Sequence, residues 1–220
     1  MKQITLLTTL MILVLSSWGQ TRMQLAFTAS PSVNWMNTSN RDVNREKIVL
    51  GYDFGLLGDI FFAESERYAL QTGLLVVNTG GNLSYRMDQP FSYAGETLPA
   101  DADIKYRLRY LDIPFSIKLK TNDFHRAYYW GLFGLSGMVN IGARGDSDDG
   151  ALRKTSIHDE INMFNIGMNV GLGFDYGLGG SNSASFGLLF QNGLTDVTTD
   201  NALVDKTILN SLKVRLALVF

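Results

Sequence analysis

Cysteine is absent from the 220 residues, so disulfide staples and a lipid-modified amino-terminal Cys are excluded. Histidine occurs only as His125 and His158. The formal net charge is −2 and no basic block interrupts the chain, which argues against nucleic acid as a partner. Long hydrophobic runs are missing too. The apolar run in the uncharged stretch Ile4 to Ser16 is about a dozen residues, whereas a membrane-spanning helix needs ~20. Mean hydropathy near zero looks soluble, but a sheet that alternates apolar and polar residues averages to the same value.

What is present begins with an export signal. Lys2 precedes the apolar stretch, and Ser17-Trp18-Gly19 supplies small residues where a signal peptidase reads, with cleavage expected before Gln20. Residues 1–19 are therefore read as a signal peptide and 20–220 as one domain, a size that suits a single barrel.

The carboxyl end carries the strongest pattern. Ile208, Leu212, Val214, Leu216, Leu218 and Phe220 fall on one face, and Ser211, Lys213, Arg215 and Ala217 on the other. A period of two means a strand, because successive side chains leave opposite sides of the backbone. Seven earlier segments repeat it: Met23 to Trp35, Lys47 to Phe62, Tyr68 to Leu83, Lys105 to Lys120, Ala127 to Ala143, Ile161 to Gly177 and Ser185 to Leu194. The sixth is the cleanest, with Phe164, Ile166, Met168, Val170, Leu172, Phe174 and Tyr176 set against Asn165, Gly167, Asn169, Gly171, Gly173 and Asp175. A soluble barrel would put the larger apolar set inside; here the inward set is small and polar. In the fourth segment Tyr106, Leu108 and Tyr110 read as outward, followed by Leu111, Ile113, Phe115, Ile117 and Leu119 in the opposite phase. That implies a β-bulge at Tyr110-Leu111.

Connections alternate in length. Glu64 to Arg67, Thr121 to Arg126 and Gly179 to Ala184 are short; Met36 to Glu46, Ser84 to Ile104, Arg144 to Glu160 and Thr195 to Lys206 are longer and polar. The expectation is an all-β, eight-stranded, antiparallel up-and-down transmembrane β-barrel in the outer membrane, monomeric, with short turns and both termini in the periplasm. Closing on Phe220, the last strand reads as the insertion signal for the barrel-assembly machinery. Phe61, Phe62, Tyr68, Tyr128, Tyr129, Trp130, Phe174, Tyr176 and Phe220 cluster toward the turn end as an expected aromatic girdle at the lipid headgroups.

An eight-stranded interior is just wide enough for side chains to fill. The inward set offers Asp53, Asp112 and Asp175 as acids and Lys105, Arg107, Arg109, Lys118, Lys213 and Arg215 as bases, which should bridge one another in so narrow a lumen. Asp175 and Asp112 are the expected partners of Lys213 and Arg215. Such a network argues for a plug, while the many inward glycines leave space for a thin water path.

At Tyr110-Leu111-Asp112-Ile113-Pro114-Phe115-Ser116-Ile117-Lys118 the chain resembles the PorT-type, porin-like outer-membrane barrel family of Gram-negative, Bacteroidota-type bacteria, with Asp112 where Glu is common. Gly55-Leu56-Leu57-Gly58-Asp59, running through Ser65-Glu66-Arg67 to Leu70-Gln71-Thr72-Gly73-Leu74, is similar to the family's second hairpin. Gly193-Leu194-Thr195-Asp196 is similar to its loop before the last strand. The resemblance implies fold and location; one branch of the family is associated with type IX secretion.

Chemical sites are sparse. Neither histidine falls beside a strand serine, as outer-membrane lipases and deacylases require. Asp146-Ser147-Asp148-Asp149-Gly150 lacks EF-hand spacing and the twelfth-position Glu, so a solvated acidic loop is preferred to a calcium site. Arg144-Gly145-Asp146 and the Asn-glycosylation patterns at Asn37-Thr38-Ser39 and Asn82-Leu83-Ser84 are read as chance matches. No catalysis, cofactor or metal is expected. The leading reading is a structural or interaction protein of the outer membrane acting through loops and rims, contacting membrane lipid and protein partners. A narrow porin-like channel for small solutes and an accessory component of a secretion system stand as alternatives.

Overall fold

A computed structural model describes residues 22–38, 43–45, 47–62, 66–199 and 206–220. The expected signal peptide lies outside the described residues, as do Ser39 and Ser65. Among the described residues twelve strands form: β1 (Met23–Thr38), β2 (Val43–Arg45), β3 (Val49–Phe61), β4 (Tyr68–Tyr85), β5 (Phe91–Tyr93), β6 (Glu96–Leu98), β7 (Asp103–Lys120), β8 (Ala127–Ser147), β9 (Thr155–Ser156), β10 (Phe164–Gly179), β11 (Asn182–Gly193) and β12 (Thr207–Val219).

Eight of these are long and pair with their neighbours, all antiparallel, in the order β1, β3, β4, β7, β8, β10, β11, β12 and back to β1. Closure is made where Ala26 faces Val219 and Thr38 faces Thr207. It removes the sheet edges, so the backbone N–H and C=O groups are satisfied without water, which a spanning sheet needs inside a membrane. The remaining strands belong to the loop end. β2 and β9 extend the ladder of β4 and β8, and β5 and β6 form a separate hairpin.

Side-chain period sorts the sequence into two surfaces. Along β10, β11 and β12 the outward residues Phe164, Ile166, Val170, Leu172, Phe186, Leu188, Leu212, Val214 and Leu216 are exposed, while Asn165, Asn169, Asp175, Ser185, Gln191, Ser211, Lys213 and Arg215 are buried in the lumen. A continuous apolar exterior around a polar interior is stable only with hydrocarbon outside. Among the described residues no helix is long and apolar enough to cross a membrane; the crossing is made by strands.

The fourth expected segment needs correcting. Tyr106, Leu108 and Tyr110 are buried and face inward on β7, in unbroken alternation with Asp112, Ser116 and Lys118. Lys105, Arg107 and Arg109 therefore face outward and are not lumen bases. A register shift does fall between Arg109 and Tyr110, but the extra residue belongs to the facing strand. Arg109 pairs with Gly142 and Tyr110 with Asn140, leaving Ile141 as the bulged residue of β8.

The reason is a change of solvent along the strand. Near the turns the strand faces lipid and places apolar residues outward; near the loops it stands in water and reverses the choice.

Candidate functional site: the filled lumen and its cap

The lumen has two chemically distinct halves. In the half nearer the short turns, β7 carries Lys118 and Lys120 into a ring of acids and aromatics. Lys118 Nζ lies 2.7 Å from Asp59 Oδ2 on β3 and 3.7 Å from Asp175 Oδ2 on β10, and Lys120 Nζ lies 2.9 Å from the same Asp175 oxygen. Gln71 on β4 donates through Nε2 to Asp59 Oδ1 at 2.7 Å, and its Oε1 accepts from Arg215 Nη1 at 2.7 Å. The Lys118 ammonium and the Arg215 guanidinium sit 5.4 Å and 5.8 Å from the Trp130 ring centre, within cation–π range. The indole is accommodated because Gly173 and Gly187 stand beside it, where any Cβ would collide with the ring.

Above this layer Lys213 Nζ pairs with Asp53 Oδ2 at 3.1 Å. Asn169 Nδ2 donates to Ser136 Oγ at 2.6 Å, and Gln191 Nε2 donates to Asp112 Oδ2 at 3.4 Å. The space enclosed among Ser30, Asp53, Asp112, Asn169 and Lys213 is ≈ 20 Å³, about what a single water occupies. At the turn end a wider vestibule of ≈ 400 Å³ opens, bordered by Arg22, Glu66, Lys120, Asp123 and Tyr128.

The loop half is built around an apolar cluster. Met36, Leu83, Tyr85, Ile104, Tyr106, Leu108 and Ala143 from the barrel wall meet Val43, Phe91, Tyr93, Leu98, Leu152, Ile157, Ile161 and Val197 from the loops in one buried cluster. The β5–β6 hairpin is held by hydroxyls: Tyr106 shares hydrogen bonds with Tyr85 at 2.5 Å and Tyr93 at 3.0 Å. Burial pushes the Tyr93 phenol well above its ordinary value, so it stays neutral. The remaining loops are tied across the mouth. Asn162 Nδ2 donates to the carbonyls of Thr198 and Asp196 at 2.7 Å and 3.2 Å, and Ile161 bridges Thr198.

The structure thus brings Asp53, Asp112, Asp175, Lys118, Lys213 and Arg215 into one interior, with pairings that differ from the sequence expectation. Lys213 binds Asp53, and Arg215 hydrogen-bonds Gln71; neither forms an ion pair with Asp175 or Asp112. Asp59, Lys120 and Trp130 belong to the network and were not singled out from sequence as lumen groups, whereas Gln71 falls on the inward face expected from alternation with Leu70 and Leu74. Parity would have found them, since Asp59 lies six residues beyond inward Asp53 and Lys120 two beyond Lys118. Phe61, Tyr128 and Trp130 also leave the expected lipid girdle: Phe61 and Trp130 are buried, and Lys120 lies 5.7 Å from both the Phe61 and Tyr128 rings inside the lumen. Phe62, Tyr68, Tyr129, Phe174, Tyr176 and Phe220 remain exposed on the exterior. Phe220 ends the barrel beside β1, its N–H donating to the Leu25 carbonyl at 2.8 Å.

Asp146 and Asp149 of the acidic loop are held by neighbouring side-chain and backbone donors. Asp146 takes Arg107 Nε at 2.6 Å and the Lys154 N–H at 2.8 Å. Asp149 accepts from the Ser147 hydroxyl and the Ala151 N–H, bonds that hold it below the usual carboxylate range. Among the described residues no cluster of metal-ligating side chains occurs.

A closed antiparallel barrel with an apolar exterior and a polar, filled interior defines an integral β-barrel membrane protein. The outer membrane protein beta-barrel domain family matches residues 9–199, and the chain belongs to that family. No curated protein matches it in sequence. Similar solved structures include Neisserial surface protein A, with 11% identity over 88% of this chain and 95% of that one at a TM-score of 0.46. OprG from Pseudomonas aeruginosa has 13% identity over 92% and 98%, TM-score 0.43, and AlkL in lipid bilayers 17% over 93% and 93%, TM-score 0.40.

Proposed function

We propose that this outer-membrane barrel is a non-conducting, non-enzymatic scaffold that holds its folded loops at the cell surface as an interaction platform, with both termini in the periplasm. The observation that carries the reading is the filled interior. The cavity among Ser30, Asp53, Asp112, Asn169 and Lys213 holds ≈ 20 Å³, too little for a solute. The cap is the second support, because tyrosine hydroxyls and buried Leu98, Leu152 and Ile157 give the loops a fixed shape, which a partner surface needs. As a monomer delivered by the barrel-assembly machinery, the protein meets lipid around its belt and protein partners at its loop rim.

Conductance of the purified barrel in planar bilayers is the test. The unaltered protein should be silent, and Lys213→Ala with Arg215→Ala should introduce current, since truncation opens space beside Asp53 and Gln71. Steady conduction by the unaltered protein, altered by the double substitution only in ion selectivity, would instead support a narrow porin-like channel.

The Tyr110-to-Lys118 stretch supports a narrower placement in the PorT-type group and, with it, an accessory role in secretion. Crosslinking from the loop rim and from the turn-end vestibule in cells separates the two: surface partners favour the platform, periplasmic secretion components favour the accessory role.

A further inference from the structure

One exterior feature is not explained by the lumen or the cap. On β7 the outward residues Leu119, Ile117, Phe115, Ile113 and Leu111 are followed without interruption by Arg109, Arg107 and Lys105. At about 3.4 Å per residue and a strand tilt near 40°, Arg109 stands roughly 26 Å above Leu119, which is about the height of an apolar belt. The bases begin where hydrocarbon ends.

They also surround a groove. Lys105, Arg107 and Arg109 of β7, Arg144 of β8 and Lys154 of the following loop line a cavity of ≈ 430 Å³, with Leu50 and Tyr52 of β3 as its opposite wall and Asn78 on its floor. Among the described residues no acid lines it. Asp146 is engaged by Arg107, and Arg109 Nε is oriented by Asn78 Oδ1 at 3.0 Å. The groove exists because β4 pairs with β3 only up to Asn78 and with β2 from Leu83 onward, so between them the wall is thin among the described residues.

On β10, Phe164 and Ile166, which pair with Val139 and Gly137 of β8, are exposed, as is Leu194 after β11, so the exterior there is apolar.

We propose that this groove binds the phosphorylated sugar headgroup of an anionic glycolipid in the leaflet on the loop side, with the acyl chains lying down the Tyr52, Phe54 and Phe115 wall. Guanidinium groups match phosphate through paired N–H donors, and a site at the hydrocarbon boundary screens them less than bulk water does. Aromatic Tyr52, stacked on Phe54 at 6.4 Å, suits the same boundary. The proposal rests on the orientation given above, which is tested separately by protease cleavage at Arg153 and Lys154 in intact cells.

The test uses the full barrel in detergent, titrated with bisphosphorylated lipid A, dephosphorylated lipid A, phosphatidylglycerol or inorganic phosphate, with bound lipid counted by native mass spectrometry. Bisphosphorylated lipid A should bind at least about tenfold more tightly than the dephosphorylated form, the equivalent of one charge-assisted phosphate contact. Arg109→Gln with Arg144→Gln and Lys154→Gln should abolish that preference while heat-modifiable migration stays normal. Equal binding of the two lipid A forms by the unaltered protein, which needs no variant, overturns the proposal. So does phosphatidylglycerol or inorganic phosphate binding as tightly as bisphosphorylated lipid A, or a folded triple variant that keeps the preference.

Discussion

The turn half and the loop half of the barrel obey opposite rules. In the turn half, polar Asp59, Gln71, Lys118, Asp175 and Arg215 are inside and Leu70, Phe115, Ile117, Leu172 and Leu216 outside. In the loop half, Tyr85, Ile104, Tyr106 and Leu108 are inside and Lys105, Arg107, Arg109 and Arg144 outside. Parity is kept along β7 and shifted by one residue on β8 at the Ile141 bulge, which carries Ala143 inward and Arg144 outward. What changed is the medium: lipid on one stretch, water and folded loops on the other. A buried polar layer has to satisfy itself group by group, whereas an apolar cap coheres through packed area, and the two should fail differently.

The largest expected effect comes from unbalancing the polar layer. Lys118→Met removes the base 2.7 Å from Asp59 and leaves a buried carboxylate without its ion partner, a loss of about 3–5 kcal/mol. Urea unfolding in lipid vesicles, followed by Trp130 fluorescence, should move to lower midpoint. Lys118→Met combined with Asp59→Leu should recover much of the loss, and failure to do so would mean packing around Trp130, not charge balance, dominates this half.

Next is the lipid side of the same half. Leu216→Arg places a charge in the apolar belt and should cost roughly 2–4 kcal/mol if it lies near the midplane. Arg at position 109 is native on the same exterior surface, so tolerance rises with height along the barrel. An Arg at Leu111 destabilising as much as one at Leu216 would place the water boundary higher than Arg109.

The cap gives a smaller and more local response. Tyr106→Phe leaves the Tyr85 and Tyr93 hydroxyls without their shared partner, about 1–3 kcal/mol. Hydrogen exchange should quicken across Phe91–Leu98 while the global urea midpoint stays nearly fixed, because the closed ladders beneath do not depend on the hairpin. A midpoint that falls as far as for Lys118→Met would show that cap and barrel unfold as one unit.

Much of this was legible in the sequence because period two runs along the strands, broken on β8 at the Ile141 bulge, and a barrel has one inside and one outside. Strand number, closure and the inward placement of Asp53, Asp175, Lys118 and Lys213 follow from parity. The misreading on β7 came from treating apolar as outward throughout. Tyr106, Leu108 and Tyr110 looked lipid-facing, and a phase change was inserted that the chain does not make. Nothing local marks the membrane boundary; it shows only where Arg109 follows Leu111 on the same face. Pairings such as Arg215 with Gln71 depend on register between strands more than a hundred residues apart, which no local pattern carries. Trp130 was hidden for another reason, since an indole belongs equally to a lipid girdle or a cation-lined lumen until Gly173 and Gly187 are seen to make room for it.

The smallest expected effect sharpens the comparison most. Arg22 and Glu66 form an ion pair of the same chemistry as Lys118 and Asp59, but at the turn rim with side chains 63% and 54% exposed. Both ions keep most of their hydration when separated, salt screens their attraction, and holding two long side chains together costs rotamer freedom. Such pairs contribute only about 0–1 kcal/mol. Glu66→Gln should therefore shift the urea midpoint barely at all, and raising ionic strength should leave the unaltered barrel and the variant equally stable. If Glu66→Gln instead approaches the loss seen for Lys118→Met, burial is not what gives the lumen network its strength, and the contrast drawn between the turn-half interior and its surroundings fails at its first term.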